Sequence, residues 1–123
     1  MRRATTSSLR SRVAPLRWIV VTLSVLAGAC EKEAGRQAYV DSGCGRCHGS
    51  DLSGTRLGPR LTDLKANWNV ETLEAYLARP EAVRGDHARL DSLARHFPAP
   101  MPQFVMADSV RKALVTFLLV SSP

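Results

Sequence analysis

Apolar residues fall into one long run and several helix-length stretches, and no segment alternates apolar with polar residues as a half-buried strand would. The long run covers residues 18–29 and ends in small side chains. Helices are predicted over residues 34–42, 69–79, 86–96 and 108–120, the last with Leu114, Phe117 and Leu118 at helical spacing. The separators are rich in glycine and proline: Gly43-Cys44-Gly45, residues 54–59, and Pro98-Ala99-Pro100-Met101-Pro102. The expected fold class is all-α, with no sheet and no internal repeat.

Charge changes the picture at the N-terminal end. Of the 17 basic residues, Arg2, Arg3, Arg10, Arg12 and Arg17 precede residue 30, where no acid occurs, which leaves 12 bases against 11 acids for the remainder. That near-neutral remainder gives no electrostatic footprint for a phosphate backbone, so nucleic acid is excluded as a partner. A basic stretch followed by a short apolar run reads as a signal peptide over residues 1–29. The run is shorter than the roughly 20 apolar residues a spanning helix needs, and it stops at Cys30 and Glu31-Lys32-Glu33. No large apolar residue closely follows the Arg2-Arg3 pair, which favours export as an unfolded chain.

Leu26-Ala27-Gly28-Ala29-Cys30 resembles a bacterial lipobox, in which cleavage before the cysteine is followed by acylation of that cysteine. It departs from the pattern at Ala27, where a large aliphatic residue is usual. Plain cleavage after Ala29 is the alternative and would leave Cys30 as a free terminal thiol. Residues 30–34 are then a short tether and residues 35–121 the functional domain, small enough to gain from a stabilising cofactor.

Cys44-Gly45-Arg46-Cys47-His48 carries the chemistry. Cysteines at i and i+3 on one helical turn match the spacing of two haem vinyl groups, and the next histidine reaches the iron; this is the attachment signature of a c-type haem. A redox disulfide would call for a βαβ context, which is missing. A closed zinc site would need four ligands, with His87 and His96 as the remaining strong donors. The second axial position has four candidates: Met101, Met106, His87 and His96. Prolines on both sides of Met101 forbid a regular helix and make a stiff, extended strap, whereas Met106 beside a helix start reads as packing. His96 is the rival to Met101, and His87 in Gly85-Asp86-His87 reads as solvated.

Taken together, these segments resemble a class I cytochrome c over about residues 35–120. Gly35 and Tyr39 are similar to the family's first helix, which meets the last; Leu57-Gly58-Pro59-Arg60-Leu61 is similar to its Gly-Pro-x-Leu segment; residues 69–80 to its middle helix ending in proline; and Met101-Pro102-Gln103-Phe104 to its ligand strap. The resemblance implies three to five helices wrapped around one covalent haem c. Cys44 and Cys47 would be the attachment points, His48 and Met101 the iron ligands, and the Pro59 carbonyl the acceptor for the His48 ring N–H. Residues 81–97 are longer and more helical than a minimal member needs, with Leu90 and Leu93 on one face.

Such a chain needs no catalytic residue. Leu52, Leu61, Leu64, Leu73, Leu77 and Phe104 are expected to exclude water from the porphyrin, and Trp68 either bonds a propionate through its indole N–H or packs in the core. The expected protein is an exported monomer, periplasmic or on the outer face of the cytoplasmic membrane, held there by lipid on Cys30. It would pass single electrons between redox proteins, foremost membrane respiratory complexes. Arg46, Arg56, Arg60 and Lys65 would steer an acidic partner if they surround an exposed haem edge. A haem enzyme or gas sensor with an open iron position is the alternative, and a haem-free zinc or disulfide lipoprotein a further one.

Overall fold

The computed structural model describes residues 16–122, with side chains from residue 29 onward, so residues 1–15 of the predicted signal peptide lie outside the described residues. The chain runs α1 (Leu16–Asp41), α2 (Gly45–His48), a 3-10 turn (Leu64–Ala66), α3 (Val70–Ala78), α4 (Pro80–Gly85), α5 (Ala88–Ala94) and α6 (Asp108–Ser121). Strands are absent among the described residues. No helix described is long and apolar enough to cross a membrane.

The first and last helices form the main packing unit. α1 crosses α6 at Gly35, where a Cβ would collide with the Ala113 carbonyl and lie 2.5 Å from Phe117 Cβ, so only glycine allows this approach. One turn on, the Tyr39 and Phe117 rings meet at 5.9 Å between centroids, tilted by 54°. Leu114 and Val115 of α6 are wholly buried beneath this crossing. α3 and the 3-10 turn pack on α6, α4 packs on α3, and α5 on α4.

Two ends are set by local sequence. α1 stops in a left-handed Gly43 (φ +71°), with the Gly43 N–H donating to the Val40 carbonyl and the Cys44 N–H to the Tyr39 carbonyl. This double bond pattern closes the helix and aims the chain into α2. α3 begins in a reciprocal cap: the Asn69 side chain accepts from the Thr72 N–H at 2.8 Å, and Thr72 Oγ1 from the Asn69 N–H at 3.0 Å.

Pro80 corrects the expected layout. A proline pushes its predecessor out of the helical region, and Arg79 lies at φ −145°, ψ 67°, which ends α3 at Ala78. Pro80 itself fits the first position of a helix, where no N–H is needed, and so opens α4. The segment after α3 therefore holds two short helices, α4 and α5, where one over residues 86–96 was expected. With the single turn of α2, the described helices number six, in keeping with the expected all-α fold. The helix predicted over residues 34–42 is the C-terminal part of α1, and residues 30–34 are helical as well.

Candidate functional site

α2 begins directly after the α1 cap, and Tyr39 fixes both ends of it. Its carbonyl receives the Cys44 N–H at 3.2 Å, and its hydroxyl donates to the Gly49 carbonyl at 2.6 Å. Burial, followed by the neighbouring Cys44, Asp51 and Cys47, pushes the phenol up to about 12, so it stays a donor at ordinary pH. Gly49 (φ +79°) and Gly54 (φ +82°) turn the following loop back onto α2. The Gly54 N–H donates to the His48 carbonyl at 2.8 Å, and Thr55 Oγ1 donates to the Cys47 carbonyl at 2.7 Å. Gly58 passes so near that a Cβ there would lie 2.9 Å from Cys47 Cβ.

This close passage delivers the Pro59 carbonyl to 2.7 Å from His48 Nδ1. A carbonyl only accepts, so Nδ1 carries the proton and Nε2 keeps a free lone pair. The bond also fixes the ring plane and makes the imidazole a better donor to a metal.

The thiols and this imidazole face a cavity of about 820 Å³. It lies within the range of about 300–1,000 Å³ typical of small-molecule and cofactor sites. Cys44 is buried and Cys47 half-buried, and both are free thiols. Burial pushes the Cys44 thiol up from its ordinary value. Met101 lines the same cavity, as do Pro98, Pro100 and Pro102.

The other axial candidates fall elsewhere. Met106 packs against the core without lining the cavity. His87 is exposed at the start of α5. His96 hydrogen-bonds the Ser92 carbonyl through Nδ1 at 2.8 Å and lines an adjoining hollow of about 480 Å³, which shares Arg89, Leu93 and Phe97 with the cavity. Among the described residues, no three His, Cys, Asp or Glu side chains gather as a metal site, so the zinc reading has no ligand set.

Of the residues expected to shield a porphyrin, Leu61, Leu64, Leu73, Leu77 and Phe104 do line the cavity. Leu52 does not: it is buried at φ 66°, and its carbonyl accepts the Leu61 N–H at 2.8 Å, so it braces the loop instead. Arg46 and Arg60 reach the wall, while Arg56 and Lys65 do not. Sequence reasoning did not assign Tyr76, Arg89, Leu114 or Leu118 to the wall. The Leu90/Leu93 spacing was the available signal for α5.

A helical chain that sets two free thiols and one metal-competent imidazole on the wall of a largely apolar cavity has the build of a protein that binds its haem covalently. The residues fit that group, since two free thiols for attachment, an imidazole and a thioether all line the one cavity. The sequence model for cytochrome c matches residues 32–122, and the chain belongs to the cytochrome c family. Its cofactor is haem c, and the family's role is that of an electron carrier. No curated protein and no solved structure gives a significant match.

Proposed function

We propose that the protein is an exported, membrane-tethered mono-haem carrier that passes single electrons between respiratory redox proteins. In this reading Cys44 and Cys47 would hold the haem, and His48 Nε2 and the Met101 sulfur would bind its iron. One observation carries it: these four side chains line one cavity, while His87, His96 and Met106 do not.

The haem, when bound, supplies an iron that alternates between ferrous and ferric. The chain sets the conditions for that change. Pro59 holds the His48 ring in one orientation. Met101 offers a neutral thioether, which favours the ferrous state and raises the potential. Leu73, Leu77 and Phe104 keep water from the apolar wall. No side chain needs to donate or accept a proton for the transfer.

The tether is supported by the lipobox-like Leu26-Ala27-Gly28-Ala29-Cys30 and by the exposure of Cys30. Arg46, Arg60 and Arg89 against Asp41 give the cavity a positive rim, suited to an acidic partner.

An absorption spectrum of protein matured in a haem-attaching bacterium tests the ligation. Wild type should show the weak red band of Met-ligated ferric haem. Met101→Ala should keep the covalent haem, lose that band, fall in potential and gain carbon monoxide binding; His96→Ala should do none of this. The reverse result would mean bis-histidine ligation. Carbon monoxide binding by reduced wild type would instead favour the sensor or enzyme reading. For the tether, wild type should partition into detergent and Cys30→Ser should stay soluble.

A further inference from the structure

Residues 44–61 bond chiefly among themselves. The Gly54 N–H donates to the His48 carbonyl, Thr55 Oγ1 to the Cys47 carbonyl, the Leu61 N–H to the Leu52 carbonyl, and His48 Nδ1 to the Pro59 carbonyl. Among the described residues, two hydrogen bonds join this unit to a terminal helix, and both end on Tyr39. One uses the Tyr39 main-chain carbonyl, which any residue would offer to the Cys44 N–H. The other uses the side-chain hydroxyl, which donates to the Gly49 carbonyl at 2.6 Å and is particular to tyrosine. Packing of α1 on α6 does not call for that hydroxyl, because the aromatic ring alone makes the contact with Phe117.

The acceptor shows what the hydroxyl does. Gly49 directly follows His48, and its carbonyl also takes the Leu52 N–H, at a longer 3.3 Å. Leu52 is buried with a left-handed backbone, φ 66°, which a residue other than glycine keeps only where its neighbours enforce it. The Leu52 carbonyl in turn takes the Leu61 N–H at 2.8 Å, two residues beyond Pro59. A chain of bonds therefore runs from the Tyr39 hydroxyl through Gly49 and Leu52 to the segment that carries the Pro59 carbonyl. It ends at His48 Nδ1, 2.7 Å from that carbonyl.

We propose that the Tyr39 hydroxyl is a positioning group for His48: by bracing the Gly49–Leu52 turn it keeps the Pro59 carbonyl on Nδ1 and so sets the reduction potential of the haem. The proposal rests on haem occupying the cavity with His48 as a ligand, and it is independent of the distal ligand. A carbonyl held close to Nδ1–H makes Nε2 a stronger donor, which favours the ferric state. Without the hydroxyl, the Gly49 carbonyl keeps only the long bond from Leu52, the strained turn relaxes and the Pro59 carbonyl withdraws. The imidazole then donates more weakly, and the potential rises.

The test is a redox titration of the matured holoprotein, with the exchange of the His48 Nδ1 proton followed by NMR in the reduced state. Tyr39→Phe keeps the ring against Phe117; it should keep covalent haem, raise the midpoint potential and speed that exchange. Thr72→Ala, which removes half of the α3 cap and lies off the cavity wall, should lower stability while leaving both readings at wild-type values. A ring-fluorinated tyrosine at position 39 keeps the shape and donates more strongly, so it tests the bond even where phenylalanine is not tolerated; it should lower the potential. A Tyr39→Phe protein that loses stability but keeps the wild-type potential overturns the proposal, since the hydroxyl would then serve packing alone. So does a raised potential with unchanged Nδ1 exchange, or a fluorinated protein whose potential is not lowered. A wild type that takes up no haem overturns both this proposal and the function it rests on.

Discussion

Two irregular segments face the same cavity and are built by opposite means. Residues 49–61 are pinned atom by atom: the His48 and Cys47 carbonyls, the His48 ring, Gly49, Leu52 and Thr55 all take part in hydrogen bonds with or within the loop. Residues 98–106 make no main-chain or side-chain hydrogen bond among the described residues. That strap is shaped by Pro98, Pro100 and Pro102 and by half-buried Met101, Phe104 and Met106, with Val105 between them wholly exposed. The loop that orients an imidazole is specified in the folded state, by groups that would be costly to leave unpaired. The strap that offers a sulfur is specified largely in the unfolded state, because prolines reduce the freedom the chain must lose.

The largest test strikes the foundation of the pinned side. Phe117→Ala empties the space between Tyr39 and α6 and should cost about 3–5 kcal/mol. A denaturant titration that left the midpoint unchanged would contradict the α1–α6 packing. Thr55→Val is the next, since it removes the donor to Cys47 and the acceptor for the Leu57 N–H at 2.9 Å. It should lower stability by about 1–3 kcal/mol and shift the haem absorption through the altered α2 backbone. Pro102→Ala is the smallest, at about 0.4–1 kcal/mol. Its effect should instead appear as faster carbon monoxide association with the reduced protein, because Met101 is released from the restriction a following proline imposes. A stability loss for Pro102→Ala as large as that for Thr55→Val would erase the distinction between the two segments.

The parts legible in the sequence are those where one residue type suffices. Cys44, Cys47 and His48 announce themselves by spacing, Gly58-Pro59 by its place after them, and Gly35 with Phe117 by their positions in the terminal helices. Flanking prolines single out Met101, and the structure puts it on the cavity wall. The rest depends on features that local sequence does not encode. α4 has only six residues, too few for a period to show, and Pro80 reads equally as an end or a beginning. Leu52 looks like any apolar wall residue until its left-handed backbone turns it into the loop. Arg89 meets Trp68 only because α5 folds back over it, a long-range event.

The continuity of α1 has a mechanical consequence. Cys30 and Asp41 lie on one helix, and at about 1.5 Å per residue they stand roughly 16 Å apart along its axis. An acyl chain on Cys30 would thus fasten the lower end of a strut whose upper end runs straight into the attachment turn. A slack leash permits every tilt of its load; a strut sets height and heading together. The haem would be presented to the membrane surface at a fixed angle, and a docking protein would meet one aspect of it rather than searching among many.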